Sequence, residues 1–108
     1  MSLSTHVLDA TAGVPAVGVS VTLERRTGTA WAAAAQGHTD RDGRIADLGV
    51  PDAGVYRLSF ATGAFFAARD VATFYPEVTV TFEIVDPAAH HHVPLLLSPF
   101  AFSTYRGS

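Results

Sequence analysis

The chain has no cysteine, which excludes disulfide bonds, thiol catalysis and cysteine metal ligands. Charge is also scarce, because Asp, Glu, Lys and Arg together make up 16% of the 108 residues. The seven basic side chains are scattered and the formal net charge is -3, so the sequence offers no basic stripe that could follow a phosphate backbone. We therefore predict no nucleic-acid partner.

Long apolar runs are missing as well. The opening residues, MSLSTHVLDA, contain no cationic segment followed by an apolar one, so they predict neither a secretory signal nor a membrane span. From this we expect a cytoplasmic protein without a membrane partner. Hydrophobic residues nevertheless make up 48% of the chain, which at this length predicts one folded domain covering residues 1–108.

The dominant pattern in the sequence is an alternation of apolar and polar residues, typical of strands with one buried face. In VSVTLERRT, Val19, Val21 and Leu23 fall on one face, and GVYRLSF and EVTVTFEIV repeat the pattern. Turn signals such as RTGT and VPDAG separate these runs at short intervals, which predicts an all-β antiparallel sandwich of two sheets. About eight strands are expected, near residues 3–9, 18–26, 29–37, 44–49, 54–61, 77–85, 90–98 and 101–107.

Two segments need separate interpretation. GAFFAARDVATFYP is rich in alanine and does not alternate, so it predicts one short helix near residues 64–72. The alanine-rich WAAAAQG is predicted to be a strand despite its helix propensity, because turns lie only a few residues away on either side.

The seventh predicted strand is apolar on both faces. Val93, Leu95 and Leu97 lie on one side, whereas Pro94 and Leu96 lie on the other. A small sandwich has one core, so the second apolar side requires another cover. We expect that cover to be another copy of the chain.

Histidine is in modest excess, with three of the five residues consecutive at His90–His92. A tag remnant or a decorated loop would account for such a triplet. A metal site is another interpretation, because His90 and His92 would share a strand face at a spacing used for zinc or copper. No carboxylate obviously joins this pair, so we predict no metal. Taken singly, His6, Arg44 and Tyr105 would be structural, solvated and packing residues.

Three motifs together carry a resemblance to a known family. LSTHVLD, TDRDGR and the terminal HVPLLLSPFAFSTYRGS closely resemble the 5-hydroxyisourate hydrolases, the purine-degrading members of the transthyretin-like family. The resemblance spans the whole chain, and the terminal YRGS is its most specific part. Transthyretin itself, the hormone carrier of the same fold, lacks YRGS and this set of histidines. The resemblance implies a transthyretin-like sandwich, with one sheet formed by predicted strands four, one, seven and eight in that order.

The resemblance also implies an assembly and a reaction. Family members are homotetramers, arranged as dimers of dimers, with their sites in a channel between the dimers. The implied reaction is hydrolysis of the N1–C6 lactam bond of 5-hydroxyisourate, giving 2-oxo-4-hydroxy-4-carboxy-5-ureidoimidazoline. Opening a lactam requires a base for water, a positive group for the oxyanion and a proton for the leaving nitrogen, but no cofactor.

The site residues follow from the matched motifs. The catalytic set implied by the resemblance is His6, Arg44, His92 and Ser108, and the substrate-binding set is His6, Arg44 and Tyr105. The two histidines are base and acid in either order, and Arg44 stabilises the oxyanion. Ser108 would supply its hydroxyl or a terminal carboxylate, so residues added after it should depress turnover. The family often has tyrosine where this chain has His91, which we expect to face away from His92.

Two other functions remain open from the sequence. One is a transthyretin-like carrier that holds a small aromatic ligand without converting it, for which the histidines, the arginine and YRGS would have no use. The other is a structural sandwich module, which would be monomeric and would tolerate loss of its C-terminus.

Overall fold

The computed structural model describes residues 2–49 and 51–108. This part of the chain contains nine strands and one helix. They are β1 (Leu3–Asp9), β2 (Val14–Pro15), β3 (Ser20–Thr27), β4 (Ala30–His38), β5 (Arg44–Ile45), β6 (Gly54–Phe60), α1 (Thr62–Ala67), β7 (Val78–Ile84), β8 (His91–Ser98) and β9 (Ala101–Thr104).

The strands form two sheets, which confirms the all-β sandwich with one short helix. The first sheet has the order β2-β1-β8-β9, with β5 also paired to β1, and the second has the order β4-β3-β6-β7. The predicted neighbours of the first sheet are therefore present as β5, β1, β8 and β9. Among the described strands, pairing is antiparallel except between β1 and β8, which run parallel. The prediction of an antiparallel sandwich is therefore wrong at this one pair.

The core lies between the sheets and consists of the residues that the alternation predicted to face inward. Val21, Leu58 and Phe60 are completely buried. The remaining inward positions are also buried at Val19, Leu23, Tyr56, Val78, Ile84, Val93, Leu95 and Leu97, and partly buried at Val80 and Phe82. Burying each of the large side chains contributes about 1.5–3 kcal/mol, so this alternation is the main source of stability.

The fourth predicted strand is much shorter than expected. Strand β5 covers Arg44–Ile45 rather than residues 44–49. Beyond it the Asp47 carboxylate accepts a hydrogen bond from the Gly49 N–H at 2.8 Å, a local turn that interrupts the strand before Leu48 and Gly49 bond to Leu3 of β1. A two-residue strand that the sequence did not predict, β2, instead pairs with Leu8 and Asp9 of β1.

The helix begins and ends earlier than predicted. It covers Thr62–Ala67 rather than residues 64–72. Its first turn is held by the segment that follows the helix, because the Thr62 hydroxyl donates to the Tyr75 carbonyl at 3.0 Å. Its end has a backbone cause, since Asp70 adopts a φ of 54°, in the left-handed region that ends helices. The described part of the chain contains no helix with the length and apolarity that crossing a bilayer requires.

Candidate active site

The outer face of the first sheet carries the predicted polar site. Along β1, Ser4 and His6 alternate with the buried Leu3, Thr5 and Val7 and therefore point away from the core. The strand register sets Ser4 beside His92 of β8 and His6 beside Arg44 of β5.

This register determines the spacing of the site. His6 and His92 lie on adjacent strands and are offset by two residues, which corresponds to about 8 Å between their backbones. The structure thus brings His6, Arg44 and His92 onto one face, as the resemblance implied.

A tight turn presents Arg44 to this face. The Asp40 carboxylate accepts backbone hydrogen bonds from Asp42 at 2.8 Å and from Arg44 at 3.0 Å. These two bonds are the main reason that the pKa of Asp40 is lowered from its usual value. The Arg44 guanidinium forms no hydrogen bond or ion pair within residues 2–49 and 51–108, so its donors remain open to a ligand.

The same turn fixes His6. Its Nε2 lies 2.9 Å from the Asp42 carbonyl oxygen, and since a carbonyl only accepts, Nε2 must carry the proton. The neutral ring therefore keeps its lone pair on Nδ1. In this way one turn controls both the tautomer of His6 and the position of Arg44.

Gly43 allows this turn to pack against β1. It has a φ of +75°, and an added Cβ would lie 2.4 Å from the Val7 carbonyl oxygen. Gly43→Ala should therefore destabilise the protein by more than the ~1–3 kcal/mol of the dihedral strain alone. The measurement is the thermal unfolding midpoint.

Gly28→Ala is the matched control. Gly28 also has a positive φ, of +66°, but nothing lies within 4 Å of an added Cβ. It should lose only the dihedral contribution, and equal losses in the two variants would contradict the close packing of Gly43 on β1.

His92 is held from two sides. Its Nδ1 lies 2.7 Å from the Ser4 hydroxyl, which leaves Nε2 as the ring nitrogen available to a ligand. On the other side the Gly107 N–H donates to the His92 carbonyl at 2.9 Å, and this isolated bridge folds the terminal YRGS segment back along β8. A Cβ on Gly107 would lie 2.5 Å from Cδ2 of the His92 ring, so glycine is needed for this contact.

The pKa of His92 is lowered from its ordinary 6.5. Burial is the largest cause, followed by the positive charge of Arg44 and by the neighbouring rings of His6 and His90, while Ser4 acts in the opposite direction. His92 is consequently neutral at neutral pH, the state in which an imidazole can accept a proton.

An NMR titration tests this electrostatic coupling. The His92 midpoint should lie below 6.5, and Arg44→Gln should move it upward because the second cause is removed. Arg41→Gln is the control, since Arg41 is exposed in the same turn and does not contribute to the shift. An unchanged midpoint in Arg44→Gln would contradict the coupling.

The lowered pKa of His92 also makes stability depend on pH. The unfolded chain takes up the proton more readily, so the free energy of unfolding should fall as pH drops below about 6.5.

Tyr105 and Ser108, the two predicted site residues of the terminal segment, are both exposed. Tyr105 is 60% exposed and, with His92, borders a cavity of about 240 Å³ at the edge of the sandwich, next to Val80 and Phe82. It is therefore adjacent to His92 but is not brought against His6 or Arg44 by any hydrogen bond of the described residues. Ser108 is exposed and follows Gly107, the residue that packs against the His92 ring.

His91 faces the other way, as expected. It is buried on the core side, where its Nδ1 lies 3.1 Å from the Ala89 carbonyl. His90 does share the side of His92, and their rings stack at 6.5 Å between centroids. No group of three metal-binding side chains is placed to hold an ion anywhere in the described ranges.

Sequence reasoning did not identify Ser4 or Gly107 as site residues. Ser4 could have been found from parity, because it lies two residues before His6 on the same strand face. The role of Gly107 depends on the folding back of the terminal segment, which no local pattern shows.

Comparison with known proteins agrees with this fold. A family model described as HIUase/Transthyretin family matches residues 3–107. The chain belongs to this family. The 5-hydroxyisourate hydrolase of Salmonella dublin is 48% identical over 109 residues, covering 98% of this chain and 80% of that protein.

Two solved structures show that the HIUase/Transthyretin fold does not by itself distinguish a hydrolase from a transthyretin. The 5-hydroxyisourate hydrolase of Klebsiella pneumoniae has a TM-score of 0.89 at 39% identity, with both chains fully covered at 100%. Sea bream transthyretin in complex with thyroxine has a TM-score of 0.93 at 33% identity, covering 99% of this chain and 95% of that one. Because enzyme and carrier share the backbone, only the side chains of the site can separate them.

Proposed function

We propose that this chain is a 5-hydroxyisourate hydrolase that opens the N1–C6 lactam of 5-hydroxyisourate to 2-oxo-4-hydroxy-4-carboxy-5-ureidoimidazoline. The observation that carries the proposal is the convergence of two imidazoles and a guanidinium on one sheet face, with the YRGS segment folded against His92. The names of its relatives in Salmonella and Klebsiella support the same reaction.

His92 is the general base of the proposed mechanism. Its lowered pKa keeps the ring neutral, and its Nδ1 contact with Ser4 leaves Nε2 free to remove a proton from water. The hydroxide formed attacks C6 of the lactam. The proposal thus assigns the base to His92 and the acid to His6, an order that the sequence left open.

Arg44 and His6 serve the other two needs of the reaction. The guanidinium of Arg44 donates to the oxygen on C6 as negative charge develops there, in a geometry that a planar carbonyl group matches. His6 keeps Nε2–H on the Asp42 carbonyl, so its Nδ1 is the atom that holds or passes a proton at the leaving N1. Direct attack by water accounts for hydrolysis without a covalent intermediate or a cofactor.

Tyr105 and Ser108 complete the proposed site at its C-terminal side. Tyr105, exposed beside the His92 cavity, would stack on or hydrogen-bond the flat substrate ring. Ser108, next to Gly107, would place its hydroxyl near the attacking water.

The proposed assembly is a homotetramer, a dimer of dimers, in the cytoplasm. Its support is the outer face of the first sheet, where the half-buried Leu8 and Leu96 continue the strand face that carries the polar site residues. Residues 1–108 would act as one domain, and a second copy would cover this face and shield the substrate from bulk water.

Ultraviolet absorbance tests the proposed reaction directly. 5-Hydroxyisourate is generated fresh by oxidation of urate, and its decay is followed with and without protein. The proposal requires a faster decay that is proportional to protein concentration.

The alternative function is a small-ligand carrier, which the similarity to sea bream transthyretin favours. A carrier would bind an aromatic ligand stoichiometrically in equilibrium dialysis and leave the spontaneous decay rate of 5-hydroxyisourate unchanged.

A further inference from the structure

Three hydrogen bonds follow one another behind His92. Its Nδ1 lies 2.7 Å from the Ser4 hydroxyl, and that hydroxyl lies 3.2 Å from Nε2 of His90. Nδ1 of His90 in turn lies 2.8 Å from the Ser2 hydroxyl. The line begins at the half-buried His92, passes through the buried Ser4 and the exposed His90, and ends at Ser2.

This line can be polarised in either direction. Every member is a hydroxyl or an imidazole, and each of these groups both donates and accepts. In one direction His92 Nδ1–H donates to Ser4, Ser4 donates to His90 Nε2, and His90 Nδ1–H donates to Ser2. In this state His92 Nε2 is bare and can act as a base. In the reverse direction His92 carries its proton on Nε2.

We propose that Ser4 and His90 are a proton relay that removes the Nδ1 proton of His92 when its Nε2 takes a proton from the attacking water. This inference rests on the proposed hydrolase function and adds two positioning residues to it.

The protons balance along the relay. The water O–H bond breaks as the His92 Nε2–H bond forms, and the hydroxide takes its electron pair to the substrate carbon. The His92 Nδ1–H bond breaks as a new Ser4 O–H bond forms, and the original Ser4 proton passes to His90 Nε2. The positive charge therefore ends on His90. The reverse sequence returns the proton to His92 Nε2, and from there it passes by way of the bare His6 Nδ1 to the leaving nitrogen.

The charges around His92 give the relay a physical benefit. His92 is faced by Arg44 from β5, by His6 from β1 and by His90 from the residue just before its own strand. A second positive charge beside Arg44 is unfavourable in a half-buried site. Moving that charge to the exposed His90 places it in water, where it is better solvated.

His90→Gln is the deciding variant. The glutamine amide can hydrogen-bond Ser4 but cannot carry a proton, so an orienting contact survives and a relay does not. We expect the single-turnover rate constant to fall about 10- to 100-fold, less than the ~10²–10⁴-fold expected for losing an acid–base group itself, with KM unchanged. His38→Gln, an exposed histidine on β4 of the other sheet, is the control and should retain full activity.

A proton inventory in mixtures of H₂O and D₂O distinguishes relay from orientation. The single-turnover rate of the unsubstituted protein should depend on deuterium content along a curve, because more than one proton moves. His90→Gln should give a straight line. A straight line for the unsubstituted protein, or an unchanged rate in His90→Gln, would overturn the relay.

Ser4 provides a second pair of variants. Ser4→Ala breaks the line, whereas Ser4→Thr keeps a hydroxyl at the same position. The rate should fall in the first variant and be largely restored in the second. Full activity in Ser4→Ala would overturn the proposal.

Ring nitrogen NMR separates the relay from the assigned reaction. In protein without substrate, Ser4→Ala should change the ¹⁵N shifts of both His90 and His92, because both rings contact that hydroxyl. Unchanged shifts would show that the line is not formed. Inactivity of the unsubstituted protein toward 5-hydroxyisourate would instead overturn the hydrolase function, whatever the shifts show.

Discussion

His92→Asn is expected to lower kcat by about 10²–10⁴-fold, the range for losing a general base. The asparagine amide is close in position to the ring Nδ1 and can keep the contact with Ser4, but it has no group at the position of Nε2. The loss should therefore fall on kcat rather than on KM, because the missing proton transfer belongs to the transition state. The measurement is initial-rate decay of fresh 5-hydroxyisourate over a range of concentrations.

The control for this variant is His38→Asn, the same substitution at an exposed position in the other sheet. It should leave both kinetic constants unchanged, and the two variants should unfold at similar temperatures. If His92→Asn kept more than about a tenth of kcat, well above the ~10²–10⁴-fold loss expected, His92 would not be the base, and His6 would be the remaining imidazole for that role.

Arg44→Gln should lower kcat/KM by about 10²–10³-fold, the loss typical of removing an oxyanion donor. The guanidinium is aimed at the site by the Asp40 turn and pairs with no side chain of the described segments, so the substitution removes a donor without leaving an unpaired charge. Arg44→Lys should recover only part of the rate, because an ammonium group lacks the planar fork of donors. Steady-state kinetics of the three proteins measures the series.

Arg41→Gln is the matched control, because Arg41 is exposed in the same turn and has the same charge. Its kinetic constants should be unchanged. Equal losses at Arg41 and Arg44 would mean that net charge near the site, and not a directed donor, promotes the reaction. Full activity in Arg44→Gln would remove Arg44 from the mechanism.

Much of the sandwich follows from local pattern. The alternation around Val21, Leu58 and Phe60 marks residues whose side chains can be buried only if the segment is a strand, and all three are buried. Errors occurred where local hydrogen bonds compete with the strand, as at Asp47, or where the backbone reverses, as at Asp70. Alternation carries no information on either event.

The site, like the fold, could be predicted from the sequence only in part. Motif resemblance pointed to His6, Arg44 and His92, and strand parity places His6 and Ser4 on one face. The tautomer of His6, by contrast, depends on a carbonyl of Asp42, which is 36 residues away in the chain. Contacts of this kind are products of strand register, and register between distant segments is not encoded in any short stretch of sequence.

The sequence by itself determined the class of fold, the residues of the core and the residue types available for chemistry, because burial period and motif composition are local properties. Only the tertiary structure decided which groups meet. The parallel pairing of β1 with β8 sets Ser4 beside His92, and the return of the terminal segment packs Gly107 on the same ring. Ser4 and His92 are 88 residues apart in the chain, and the geometry of both contacts exists only after the strands of the first sheet have paired.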